Sequence, residues 1–319
     1  MPKKNRDSRE VKTQLHPRNK HRHGYDFEHL VQAYPKLKRY LHINAYQNTS
    51  LDFFDPSAVK ALNTSLLITH YKLDYWDIPD GYLCPAVPGR ADYIHHLADL
   101  LHEEGATKKK SKFHYLDIGT GANCIYPIIG VSDYRWTVVG TDIDIVAVKS
   151  ARKIVSSNEA LAGQIELRLQ DNSAHIFSGV IHDSDYFDFC VCNPPFHESA
   201  TAASTAAKRK LKNLGQKPGD NPVLNFGGNN KELWCEGGEL TFISKMIEES
   251  VLFPTSCFWF TTLVSKHEHL DPLLKILESK NPTMAKTIPM GQGNKKSRIL
   301  AWTFLSEKQQ QLWADTRWT

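Results

Sequence analysis

The chain has 319 residues, of which 41% are hydrophobic, and its net charge at neutral pH is +4. This apolar content suffices for one large domain or for a core with an extension, and no apolar run approaches the roughly 20 residues of a membrane span. The start is polar and basic and lacks an apolar secretory segment, so we expect a cytoplasmic protein with no membrane-spanning segment.

The first 24 residues carry the chain's net excess of positive charge. They contain eight Lys or Arg residues against two acids, which leaves the rest of the chain slightly negative. We predict a flexible basic tail at 1–24 that contacts nucleic-acid phosphates, the alternative being a solubilising tail. His16, His21 and His23 have no Cys or acid at ligand spacing, and the six cysteines include no Cys-x-x-Cys pair, so we expect no metal and no disulfide framework.

Residues 25–112 are predicted to form a helical extension. Apolar residues recur at helical spacing over 25–41, Pro56 lies near the start of a second helix, and a third helix runs from Arg90 to Glu104 before Gly105. The lysine-rich segment 108–112 then reads as a solvated loop.

The remainder, 113–319, alternates strand and helix patterns. Predicted strands lie at 114–118, 135–141, 165–170, 186–192, 257–264 and 298–305. Predicted helices lie at 123–130, 144–158, 172–180, 238–252 and 267–279. This alternation predicts a Rossmann-like α/β fold with a parallel sheet and right-handed crossovers.

Two of these strands end in residues that suit a nucleoside ligand. Residues 115–121 read Tyr-Leu-Asp-Ile-Gly-Thr-Gly, in which Gly119 and Gly121 let the backbone approach a ligand. The next strand ends at Asp142, which can accept hydrogen bonds from ribose hydroxyls. Asp144, two residues later, is more simply explained as a helix N-cap.

A third strand runs directly into Asn193-Pro194-Pro195-Phe196. Two prolines hold the chain rigid at the carboxyl edge of the sheet, where α/β proteins bind ligands. The Asn193 side chain and the Pro194 carbonyl offer two acceptors for an aromatic amino group, and Phe196 offers a face for stacking. Taken alone, this motif could equally be a strand that ends in a proline turn.

The order of these motifs resembles that of S-adenosylmethionine-dependent methyltransferases that modify exocyclic amino groups. Further blocks are similar to the RlmF family of 23S ribosomal RNA adenine-N6 methyltransferases and to its eukaryotic relative, the small nuclear RNA methyltransferase. These blocks are Asp-Ile-Gly-Thr-Gly-Ala at 117–122, Val-Pro-Gly-Arg at 87–90, Glu-Gly-Gly-Glu-Leu at 236–240 and Ala-Trp-Thr-Phe at 301–304.

The resemblance implies a class I methyltransferase that transfers a methyl group from S-adenosyl-L-methionine to N6 of one adenine in 23S ribosomal RNA. It implies catalytic roles for Asn193, Pro194, Pro195 and Phe196. The implied cofactor contacts are Arg90, Asp117, Gly119, Gly121, Asn123, Asp142, Ser173 and Asn193. Asn123 stands where relatives carry a serine, and Ser173 lies in a weakly matched segment.

About 40 residues, 197–237, separate the Asn-Pro-Pro-Phe motif from the next helix. Five cations lie between Lys208 and Lys217, and residues 199–219 contain no acid. We predict an insertion that closes over a flipped base and contacts flanking phosphates, the alternative being a charged loop without contacts.

Three other functions fit the same motifs. A protein glutamine-N5 methyltransferase also needs acceptors for an amide nitrogen, and a DNA amino methyltransferase differs in the sugar. A non-enzymatic RNA-binding protein could retain the fold, although the intact ribose acid and acceptor motif favour an enzyme. We expect a monomer with RNA as its partner.

Overall fold

The computed structural model describes residues 15–103, 112–199, 201–202, 230–292 and 295–318. The N-terminal extension contains α1 (Phe27–Ala33), a 3-10 segment (Pro35–Tyr40), the hairpin strands β1 (Leu41–Ile43) and β2 (Thr49–Leu51), α2 (Pro56–Tyr71) and α3 (Val87–Glu103). The predicted helix over 25–41 is therefore interrupted, because Pro35 has no N–H to continue α1. Aspartates cap both of the first two helices, and the Asp55 carboxylate accepts from the Ser57 N–H at the start of α2.

Residues 15–24 pack against this extension and are not a flexible tail. The Asn19 side chain donates to Asp92 over 2.6 Å, and His16 Nε2 lies 2.8 Å from an Asp99 oxygen. Two of the cations assigned to the tail are also in ion pairs, Arg18 with Asp99 and Lys20 with Asp133. The predicted boundary at residue 24 is therefore wrong, and residues 1–14 lie outside the described residues.

Seven strands form the central sheet, and the predicted α/β class is confirmed. They are β3 (His114–Ile118), β4 (Thr137–Asp142), β5 (Ile165–Leu169), β6 (Phe187–Cys192), β7 (Cys257–Val264), β8 (Met284–Gln292) and β9 (Lys295–Thr303). The spatial order is β5-β4-β3-β6-β7-β9-β8. The first five strands are parallel, whereas β9 runs antiparallel to β7 and β8 antiparallel to β9. The sequence patterns did not reveal β8.

The longer helices of this domain are α4 (Ile125–Tyr134), α5 (Ile145–Ser156), α6 (Gly238–Ser250), α7 (Leu270–Glu278) and α8 (Glu307–Arg317), and a single helical turn at Asn230–Leu233 precedes α6. The helix predicted over 172–180 does not form. There, the backbone N–H groups of Ile176 and Ser178 each donate to the Glu249 carboxylate of α6 over 2.7 Å, which fixes a turn. None of the described helices has the length and apolar character needed to cross a membrane.

Two hydrophobic cores lie on opposite faces of the sheet. On β6, Phe189 and Val191 belong to the core shared with the extension, whereas Cys190 and Cys192 belong to the core under α6 and α7. Both thiols are buried and free. Because β6 is buried on both faces, its position in the middle of the sheet is fixed, and Asn193 follows it at the carboxyl edge.

Candidate active site

The predicted site residues come from three neighbouring strands of one sheet edge. Ile118 of β3 is in register with Thr141 of β4 on one side and with Cys192 of β6 on the other. The glycine turn, Asp142 and Asn193 directly follow or end these strands. Because the strands are parallel, their carboxyl ends meet, and three segments separated in sequence converge.

The glycine turn is bonded directly to the acid that ends β4. Gly119 and Gly121 have φ angles of 72° and 64°, a conformation that favours glycine. The Gly121 N–H donates to Asp142 Oδ2 over 2.9 Å, and the Asp144 N–H donates to Oδ1 over 2.9 Å. Asp142 thus has a fixed orientation, and each oxygen keeps a lone pair for a further donor such as a ribose hydroxyl.

Asp144 caps α5, as predicted. Its Oδ1 accepts from the Val146 N–H over 2.9 Å, and its Oδ2 accepts from the Tyr82 hydroxyl over 2.7 Å. The second contact ties the segment before α3 to the carboxyl edge of the sheet.

Asp117 is fully buried at the end of β3, and neither carboxylate oxygen accepts a hydrogen bond from any residue that the structure describes. Burial raises the pKa of this carboxyl to about 7, Asp142 adds to the rise, and Thr120 and Arg90 oppose it. A buried carboxylate without donors is unfavourable. A ligand ammonium group beside the glycine turn would supply both charge and donors.

Asn193 contacts an arginine from the extension. Arg90 lies in the first turn of α3, and its Nη1 donates to Asn193 Oδ1 over 2.9 Å. The same nitrogen lies 3.3 Å from the Tyr126 hydroxyl, and the guanidinium lies over the Tyr126 ring at 5.7 Å from its centre. The extension therefore contributes directly to the site.

The rest of the Asn-Pro-Pro-Phe motif continues along the sheet edge. Pro194 is buried, whereas Asn193, Pro195 and Phe196 are half-buried, which leaves part of the Phe196 ring accessible for stacking. The next residue, His197, donates its N–H to the Leu233 carbonyl over 3.0 Å and accepts from the Cys235 N–H over 3.1 Å. The end of the 197–237 insertion therefore returns to the motif.

A close approach of backbone reinforces this junction. A Cβ atom on Gly238 would lie 3.2 Å from the Glu198 nitrogen, a tight contact, and the φ angle of 62° at this position also favours glycine. Glu239, in the same block, is buried, and its carboxylate accepts from the Ser265 N–H and contacts His269 Nδ1, both at 2.7 Å. The Glu-Gly-Gly-Glu-Leu block thus holds together the insertion and the turn after β7.

Asn123 is committed to contacts within the protein. Its Oδ1 accepts from the Ile125 N–H over 3.1 Å, and its Nδ2 donates to the Leu83 carbonyl over 3.3 Å. The Leu83 N–H in turn donates to Glu232 Oε2 over 2.8 Å. Sequence reasoning missed Glu232, whose other oxygen would lie 3.5 Å from a Cβ on Gly121. A single acid near the end of a long insertion forms no pattern that would have marked it.

Ser173 is exposed on the turn after β5, and its side chain forms no hydrogen bond with the other predicted site residues in the described part of the chain. Two apolar side chains that the sequence analysis missed lie nearer to Asp142. Ile143 directly follows Asp142, and Leu169 on β5 is the register partner of Asp142. The side chains of Ile143 and Leu169 are 46% and 38% exposed. An exposed apolar pair beside this acid suits the flat face of a base.

The sheet order, the glycine turn bonded to an acid and the strand that ends in Asn-Pro-Pro-Phe together define a class I methyltransferase. The structure is similar to the human METTL16 catalytic domain in complex with MAT2A 3′UTR hairpin 1, with a TM-score of 0.75, 29% identity and coverage of 92% of this chain and 96% of that one. It is also similar to the N-terminal domain of human METTL16 in complex with SAH, with a TM-score of 0.73, 28% identity and coverage of 92% and 99%.

The chain belongs to an RNA methyltransferase family, whose model matches residues 9–306. It is 49% identical over the full length of both chains to ribosomal RNA large subunit methyltransferase F of Cytophaga hutchinsonii. It is 52% identical to the protein of that name from Bacteroides fragilis, with coverage of 92% of this chain and 99% of the relative. The protein is thus an RNA methyltransferase that uses S-adenosylmethionine as its methyl donor, and its relationship to the RlmF family is confirmed.

Proposed function

We propose that this enzyme methylates N6 of one adenine in 23S ribosomal RNA. The observation that carries the proposal is Asn193 Oδ1, an acceptor held by Arg90 at the end of β6 beside the glycine turn. The names of the relatives support a large-subunit ribosomal RNA. A single chain would act in the cytoplasm, where ribosomes assemble.

The residues present suit the methyl donor. Asp142 would accept from the ribose hydroxyls of the donor, Ile143 and Leu169 would pack on its adenine, and the buried Asp117 carboxylate would receive the ammonium of its methionine part. Gly119 and Gly121 would let the donor approach the backbone. When bound, S-adenosylmethionine supplies an electrophilic methyl group on a positively charged sulfur.

The chain's own residues would prepare the adenine amino group for attack. Its lone pair is delocalised into the ring, so it is a poor nucleophile. Asn193 Oδ1 and the Pro194 carbonyl would accept its two hydrogens, turn the lone pair toward the methyl group and stabilise positive charge developing on N6. Attack by N6 would release the sulfur as a neutral thioether, and the methylated N6, held by these two acceptors, would then lose its extra proton to solvent. Phe196 would stack on the base.

Phosphate contacts would come from cations other than Arg18 and Lys20. Arg18 and Lys20 are in ion pairs with Asp99 and Asp133. The basic residues of 1–14 and the cations between Lys208 and Lys217 lie outside the described residues, and we assign RNA binding to them.

The test is incubation with labelled S-adenosylmethionine and 23S RNA, followed by nucleoside mass spectrometry and mapping of the position. We expect N6-methyladenosine at one site, and loss of the same modification in cells without the protein. Label on a glutamine side chain or on DNA adenine, with the RNA unlabelled, would overturn the proposal in favour of the corresponding alternative.

A further inference from the structure

Tyr126, near the start of α4, lies directly beneath the arginine that contacts Asn193. Its side chain is 4% exposed, and its hydroxyl and ring face both contact the Arg90 guanidinium. Sequence reasoning gave it no role. Through Arg90, Tyr126 therefore connects α4, the helix after the glycine turn, to the Asn-Pro-Pro-Phe motif.

Tyr126 is itself held at two points. The Tyr126 backbone carbonyl accepts from the Tyr115 hydroxyl over 2.7 Å, and the Tyr93 ring packs edge-on against the Tyr126 ring, with 5.6 Å between the ring centres. The Tyr93 hydroxyl contacts Thr261 Oγ1 at 2.7 Å. The Thr261 hydroxyl in turn donates to the Cys190 carbonyl over 2.5 Å. This series of contacts returns to β6 three residues before Asn193.

We propose that Tyr126 is a positioning residue that acts through Arg90 to hold the Asn193 amide with its oxygen in the acceptor position. This inference rests on the acceptor role of Asn193 in the proposed function. An Asn side chain can turn over and exchange its oxygen for its NH₂ group at the same place. With Arg90 fixed, a turned amide would place NH₂ against a cationic donor, which is unfavourable.

Arg90 needs to be held because its long side chain is only half-buried and has several rotatable bonds. A guanidinium that moved to another rotamer would release Asn193 Oδ1. The Tyr126 hydroxyl and ring face oppose that movement, since a cation is attracted to both.

A double-mutant cycle between Tyr126 and Asn193 tests the inference. Tyr126→Phe keeps the ring and removes the hydroxyl, so the fold is preserved. We expect this variant to lower the single-turnover rate constant on 23S RNA about tenfold, the loss typical of one hydrogen bond to a charged group. Cofactor affinity by calorimetry should change less than twofold. In an Asn193→Ala background, the same change should have no further effect, since no amide remains to be positioned.

Tyr71→Phe is a matched control, because Tyr71 is also buried and its hydroxyl contacts His21 Nε2 at 3.0 Å, in the extension. It should leave turnover unchanged. An equal loss from Tyr126→Phe in both backgrounds, or no loss in the wild-type background, would overturn the positioning role while leaving the proposed function intact. Near-normal turnover of Asn193→Ala alone would instead remove the acceptor role on which both proposals depend.

Discussion

The backbone N–H of Gly121 donates to Oδ2 of Asp142 over 2.9 Å, which joins the turn after β3 to the acid that ends β4. This bond sets the direction of the Asp142 carboxylate before any ligand arrives. A preorganised acceptor loses little entropy on binding. The same bond also holds the glycine turn against β4.

Asp142→Ala should therefore weaken S-adenosylmethionine binding by roughly 2 kcal/mol, because buried ribose hydroxyls lose a charged acceptor. Isothermal titration calorimetry measures the change. Asp183 is an exposed acid in the turn before β6, at the other end of that strand from Asn193. Asp183→Ala is therefore the control, and we expect it to bind S-adenosylmethionine normally. Unchanged affinity in Asp142→Ala would show that the ribose lies elsewhere.

Asn193→Ala should reduce turnover on 23S RNA by about 100-fold or more, since one preorganised acceptor for the amino group is lost. Cofactor affinity should change far less, because the proposed ribose and ammonium contacts remain. Steady-state kinetics at saturating RNA, combined with calorimetry, separates the two quantities. A variant with normal turnover would exclude Asn193 from the chemistry.

Asp117 should make the stability of the ligand-free protein depend on pH. Its pKa is raised from 3.8 to about 7 in the folded protein, so the folded state retains a proton that the unfolded state has lost. This group therefore destabilises the fold as pH rises from about 4 to 7, by an upper bound on the order of 4 kcal/mol. Asp117→Asn should be more stable than wild type at pH 8, with the difference vanishing near pH 4. Denaturant unfolding at both pH values checks this, and equal differences at the two would contradict it.

The two halves of the basic N-terminal segment should behave differently. Deleting residues 1–14 should weaken RNA binding and reduce its salt dependence by about 0.7 log units for each single-strand phosphate that the segment neutralises. Replacing Arg18 and Lys20 by Gln should instead lower the thermal midpoint, because their partners Asp99 and Asp133 lose their ion pairs. Binding titrations over a salt series and thermal melts measure both effects. An unchanged salt slope after the deletion would leave the 197–237 insertion as the main source of phosphate contacts.

The central strands and the site edge could be predicted from sequence because they depend on local signals. β6 is buried along its whole length, so it reads as an apolar run, and its end is marked by two prolines. β8 gave no such signal, since half-buried and exposed side chains alternate from Met284 to Pro289, and Pro289 lies within the strand, as an edge strand tolerates.

The predictions that were wrong concern segments whose structure depends on residues far away in sequence. The 172–180 segment has a helical pattern, but Glu249 captures its N–H groups from more than 70 residues away. Residues 15–24 have the composition of a tail, but Asp92 and Asp99 bind them. Glu232 is close to the glycine turn because the insertion folds back, which no local pattern encodes.

The hydrogen bonds that join His197 to Leu233 and Cys235 give the insertion a fixed base. Closure entropy rises by only about 0.6 kcal/mol when the number of residues in a loop doubles, so a change in length between these anchors would have little effect on stability. The catalytic edge and the segment that we propose to contact RNA could therefore diverge independently. One methyl-transfer scaffold could in this way be adapted to differently shaped RNAs by exchanging the sequence between two pinned ends.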